Sequence, residues 1–115
     1  MDRPIPHFYH PGLAGAKWQS LSFLEQMSHI GSEVERAIKW KSRNRQNSRQ
    51  AFFRALELLD FTIADIKNRK RLRELCRLRE VLADYFFGDN IYKSSDELWR
   101  KYFFPFTFAA RKQKA

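Results

Sequence analysis

Residues 22–39 read SFLEQMSHIGSEVERAIK. Ser22 followed three residues later by Glu25 is a capping box, the local signature of a helix start. Leu24, Met27, Ile30, Val34, Ala37 and Ile38 then recur every three or four residues, which lines one face of a helix and cannot line a strand. Gly31 lies within that apolar face. Glycine there costs about 1 kcal/mol against alanine, so a second helix is expected to pass close to it.

The same spacing recurs downstream. A second helix is expected from about Ser48, with Phe52, Ala55, Leu56, Leu59, Thr62, Ile63 and Ile66 on its apolar face. A third is expected from about Asn68 to Phe87, with Leu72, Leu75, Cys76, Leu82, Ala83 and Phe86 inward and Gly88 as its stop. A fourth is expected from Ser94, boxed by Glu97, to about Lys112, kinked at Pro105. No segment alternates apolar and polar residues over strand length. The predicted fold is all-α, an up-down-up-down four-helix bundle, because the connections are short enough to force antiparallel neighbours. The predicted organisation is an irregular, Pro-rich lead-in at 1–19, the bundle at 20–112 and a basic tail at 113–115.

The 115 residues suit one domain, and an apolar fraction of 43% is sufficient for a core. The single cysteine, Cys76, excludes an internal disulfide and is read as a buried, inert thiol. No apolar run has the length of a signal peptide or a membrane span, so a cytoplasmic protein without membrane attachment is expected.

The net charge is +9 and it is local. Residues 1–40 hold four basic and four acidic groups, residues 41–79 twelve and four, and residues 80–115 six and five. A concentrated field attracts anions more strongly than a diffuse one. Lys67, Arg69, Lys70, Arg71 and Arg73 crowd the start of the third helix, where the helix dipole disfavours cations. On a continuous helix Arg69, Arg73 and Arg77 would form a row about 12 Å long, suited to successive phosphates; a plain solvated face with Arg77 paired to Glu74 or Glu80 is the competing account. Arg111, Lys112 and Lys114 would join that end of the bundle. The loop from Lys39 to Arg49 adds Lys41, Arg43 and Arg45 around Trp40, which either stacks on an unpaired base or caps the core.

Arg79 lies in the middle of the third helix's apolar arc. A buried guanidinium must be paired, and Asp60 stands at the matching level of the second helix, with Glu35 as the second candidate. Phe104 and Phe108 lie opposite the fourth helix's apolar face, formed by Leu98, Trp99, Tyr102, Phe103, Phe106, Ala109 and Ala110. Spaced i, i+4, they make an apolar patch on a charged face and a candidate oligomer interface; rotation at Pro105 into the core is the alternative.

No catalytic constellation emerges. His7 and His10 lie in the lead-in and His29 is alone, so no metal site is expected. Arg3 and His10 carry a spacing used by some helical ribonucleases, but Pro4 and Pro6 exclude the helix it needs. Glu80 and Asp84 have no nucleophile beside them, and no glycine-rich phosphate loop is present. No enzyme activity and no cofactor are expected.

Three runs carry a resemblance: Ile30–Lys39 (IGSEVERAIK), Arg54–Asp65 (RALELLDFTIAD) and Glu74–Phe104 (ELCRLREVLADYFFGDNIYKSSDELWRKYFF). Over residues 20–108 the chain resembles a family of short bacterial proteins that has no catalytic motif. In size, charge and helical plan it is more distantly similar to the accessory variability determinants of diversity-generating retroelements and to the proteins encoded by intervening sequences of ribosomal RNA genes. That similarity implies a ring-shaped homo-oligomer such as a pentamer, nucleic acid as ligand with RNA favoured, and a reverse transcriptase partner. A protein-interaction module for an acidic partner is the alternative reading of the same charge.

Overall fold

A computed structural model describes residues 16–114 and is all-helical over them, with no strand. The elements are α1 (Ala16–Gln19), α2 (Phe23–Trp40), α3 (Arg45–Ala64), a 3-10 turn (Ile66–Arg71), α4 (Leu72–Phe87) and α5 (Asp96–Lys114). Residues 1–15, with Arg3, His7 and His10, lie outside the described residues.

The boundaries follow local chemistry. Ser22 and Glu25 close the capping box at the start of α2, as the sequence predicts. α3 starts at Arg45 instead of Ser48, because the Asn44 side chain accepts the Asn47 N–H at 3.1 Å. Ser48 is instead buried, its hydroxyl donating to the Ala37 carbonyl at 2.7 Å. α5 starts after Ser95, not Ser94, since Ser95 Oγ accepts the Leu98 N–H. It runs on through Pro105 to Lys114, past the predicted end and into the predicted tail. Residues 16–19, read as irregular, form α1 and bury Trp18.

Side chains record how the helices lie. α3 returns along α2: Ser48 meets Ala37, Arg54 donates to Glu33, and Gln26 donates to Asp65. α5 also runs against α2, with Lys41 on Asp96, Arg100 on Glu35 and Phe106 edge-on to Phe23. α4 runs back along α3, with Phe86 on Phe52 and Arg79 on Asp60, and it meets α5 at Tyr85–Trp99 and Glu74–Tyr102. Met27, Ile30, Val34, Phe52, Leu59, Leu75, Leu82, Trp99 and Phe103 fill the centre. Gly31 is what the sequence suggests: a Cβ there would stand 2.9 Å from Cβ of Phe103.

Several readings of burial change. Cys76 is exposed, not buried; α4 buries Leu75, Leu78 and Leu82 and packs Ala83 and Phe86 partly buried against the core, whereas Cys76 is about 100° around the helix from Leu75. Ile66, Leu72 and Leu98 are also exposed. Ile66 leaves the face of α3 because the helix has already ended at Ala64. Arg79 flanks the narrow inward stripe of α4 and is half-buried, where the sequence suggests full burial.

A polar knot holds one end together. Trp18 Nε1 donates to Thr62 Oγ1 at 3.0 Å. The Gln26 amide donates to the Trp18 carbonyl and to Asp65 Oδ2 at 3.1 and 2.9 Å. Asn68 Nδ2 donates to Gln26 Oε1 and to the Thr62 carbonyl at 2.9 and 3.0 Å. Gln26, Thr62, Asp65 and Asn68 are all buried. Buried polar groups require partners of this kind, and the bonds above supply them, but Asn68 Oδ1 is buried without a partner among the described residues.

Candidate nucleic-acid interface

The knot decides where the basic residues stand. Asp65 accepts the Lys67 N–H at 3.1 Å and starts the 3-10 turn, and Asn68 is drawn inward. In a 3-10 turn residues i and i+3 eclipse, so with Asn68 held inward its neighbours Ile66, Lys67, Arg69 and Lys70 face solvent. Lys67, Arg69, Lys70, Arg71 and Arg73 are all exposed.

They are not equivalent. Lys67 Nζ bonds Asp65 Oδ2 at 2.5 Å and the Gln19 carbonyl at 2.9 Å, so it is part of the knot. The Arg71 guanidinium lies 4.1 Å from the Phe23 ring centroid, a cation–π contact. Arg69, Lys70 and Arg73 have no acid partner among the described residues. The Asp65 carboxyl is held below the usual carboxylate range: burial, the largest single influence, would raise it, but hydrogen bonds from Lys67 and Gln26 outweigh it.

The straight row of Arg69, Arg73 and Arg77 does not form. Arg69 belongs to the 3-10 turn and the other two to α4, so the i, i+4 geometry is lost between them. Arg77 sits 4.9 Å over the Tyr92 ring. Neither acid expected to pair it is turned to it, since Glu80 accepts from the Tyr92 hydroxyl and Glu74 from Tyr102.

The far end of α5 comes to the same place, where Ser22 Oγ donates to Gln113 Oε1 at 3.2 Å. Arg111 and Lys112 are exposed there, with Lys112 5.6 Å from the Phe108 ring; the Lys114 side chain is outside the described side chains. The convergence of helix ends that the sequence implies is therefore present for Lys67 through Arg73 with Arg111 and Lys112.

Lys41, Arg43 and Arg45 lie at the other end. Lys41 is engaged, at 2.7 Å from Asp96 Oδ1 and 2.8 Å from the Tyr85 hydroxyl, while that hydroxyl donates to Asp96 at 2.5 Å. Burial would lower the Lys41 pKa, but these bonds outweigh it and raise it; the Asp96 carboxyl is correspondingly lowered against its own burial. Arg43 lies 5.6 Å from the half-buried Trp40 ring. Arg45 is exposed.

Arg79 makes the predicted pair, Nε to Asp60 Oδ1 at 2.7 Å and Nη2 to Oδ2 at 3.2 Å. Its second candidate, Glu35, binds Arg100 instead. Phe104 and Phe108 are 65% and 52% exposed and stacked at 6.0 Å, so Pro105 does not turn them inward. Sequence reasoning missed the Gln26–Asp65–Asn68 knot and the Lys41–Tyr85–Asp96 cluster. Both join residues far apart in the chain, and no local pattern announces them.

No known protein family, no curated protein and no solved structure matches the chain. Among the described residues no group of three His, Cys, Asp or Glu could hold a metal ion, and no helix is long and apolar enough to cross a membrane.

Proposed function

We propose that this is a non-enzymatic, cytoplasmic accessory protein that binds nucleic acid, RNA in preference, and acts as a homo-oligomer. One observation carries the reading. Arg69, Lys70, Arg73 and Arg111 stand exposed near one end without an acid partner among the described residues, while of the nearby acids Glu25 caps a helix, Asp65 sits in the polar knot and the exposed Glu74 accepts from the Tyr102 hydroxyl. Such a surface neutralises phosphates and reads little sequence. The antiparallel contacts support an up-down-up-down four-helix bundle, α2 to α5, with α1 laid against it. The resemblance to accessory variability determinants and to ribosomal RNA intervening-sequence proteins extends the proposal to a ring such as a pentamer and to a reverse transcriptase partner.

A second reading rests on the exposed Phe104–Phe108 stack beside Arg111 and Lys112, which suits an acidic, amphipathic protein partner. A gel shift with structured RNA across a series of salt concentrations tests the first reading. Steeply salt-dependent binding supports it, and no shift at low salt overturns it.

A further inference from the structure

The end of the molecule opposite the polar knot holds a pocket that the phosphate-binding reading leaves unused. It opens between the start of α3 and the end of α4 and has a volume of about 310 Å³. Its walls combine two chemistries. Phe52 is buried at its base, and Phe86 and Phe87 stand beside it with ring centroids 4.9 and 5.1 Å from that of Phe52. Arg45 and Arg49 form the basic side, with the Arg49 guanidinium 5.6 Å from the Phe87 centroid. No acid lines the pocket among the described residues. Lys41 also lines it, but its ammonium is neutralised by Asp96, so the two arginines supply the free charge.

Phe87 is 50% exposed, and Phe53, 37% exposed, lies against it at 5.5 Å. The aromatic surface therefore continues out of the pocket as a ledge. A wholly apolar partner would leave both guanidiniums without a counter-charge, and a simple acid would leave the rings uncovered. An unpaired nucleotide satisfies both: every base has a π-face for the rings, and its phosphate meets the arginines. The volume is at the low end of the roughly 300–1,000 Å³ of small-molecule sites, suited to one nucleotide and not to a duplex.

We propose that this pocket takes one unpaired nucleotide of a single strand, the base on Phe87 and the phosphate between Arg45 and Arg49. The proposal rests on the nucleic-acid reading and adds to it a preference for single-stranded over double-stranded RNA. The experiment measures binding of the full chain to a short oligouridine strand and to a blunt duplex of the same length, with Arg49→Gln and Phe87→Leu as variants. Uridine monophosphate is titrated separately, followed by NMR shifts.

The strand should bind more tightly than the duplex. Each variant should weaken strand binding about tenfold, the size of one lost stacking or phosphate contact, and leave duplex binding unchanged. The monophosphate should shift the amides of Arg45, Arg49 and Phe87. Arg49→Gln changes an exposed residue, so it remains informative if Phe87→Leu loosens the fold. Equal binding of strand and duplex, unaltered by either variant, overturns the pocket and leaves the nucleic-acid reading standing. Absence of binding to either RNA overturns both. An acidic peptide that shifts the same amides as strongly as oligouridine would also overturn it.

Discussion

Gly31 lies directly beneath Phe103, and a Cβ on Gly31 would stand 2.9 Å from Cβ of Phe103 and 3.0 Å from its ring. The absent side chain sets how closely α2 and α5 approach. Gly31→Val should therefore destabilise the protein by about 1–3 kcal/mol, the usual cost of overpacking, even though valine is the better helix former. Urea denaturation measures it. A variant as stable as the parent would mean that α5 yields at no cost.

The Arg79–Asp60 pair is bidentate, yet its side chains are 37% and 39% exposed. The Asp60 hydrogen bond holds the Arg79 pKa above its ordinary value, against some burial. Solvent screens a pair this open, so the 3–5 kcal/mol typical of breaking a buried pair does not apply. A double-mutant cycle of Arg79→Ala and Asp60→Ala should give a coupling of about 0.2–1 kcal/mol. A coupling above about 2 kcal/mol would contradict the exposed geometry.

Asp65 gives a pH dependence. Its pKa is depressed in the folded chain, so its contribution to stability is present above the unfolded value near 3.8 and is lost as pH falls through the lower folded value. Stability should drop on acidification below about pH 4, and Asp65→Asn should flatten that drop. Asp96, also depressed, should supply a separate share. Thermal melts between neutral pH and strong acid check both, and an acid limb identical in Asp65→Asn and parent would refute the assignment.

For the basic end, Arg69, Lys70 and Arg73 changed together to Ala should weaken RNA binding. The slope of log K against log salt should fall by roughly one for each phosphate contact removed. The triple leaves Lys67 in the knot and Arg71 on Phe23, so the fold should persist. An unchanged slope would move the phosphate contacts away from this end.

The stacked Phe104 and Phe108 lead to a test of association. Light scattering on Phe104→Ser/Phe108→Ser beside the parent should show a smaller mass for the variant. A parent already monomeric at micromolar concentration, or a variant of unchanged mass, would remove α5 from any interface.

Much of the scaffold was readable from residues 22–39 onward, because capping and amphipathic spacing act within a few residues of chain. The Ser22–Glu25 box, the inward Met27, Ile30 and Val34, and the outward Phe104 and Phe108 all depend on local geometry alone. Gly31 was legible because glycine weakens a helix, and on an apolar face that cost is offset when a neighbouring helix fills the space. Asp60 opposite Arg79 followed from antiparallel helices joined by a short link.

What the chain could not announce depends on groups many residues apart. Cys76 is exposed because no neighbouring helix covers the side of α4 on which it lies, a matter of where the neighbours of a helix stand and not of its own pattern. The row of arginines is broken because Asn68 is pulled inward by Gln26 and the Thr62 carbonyl, which forces a 3-10 turn where sequence spacing reads as helix. Lys41 is engaged because α5 brings Asp96 to it across 55 residues. Sequence periodicity determined which faces are apolar; tertiary structure decided which cations remain free, because a charge is neutralised by whatever acid the fold delivers to it.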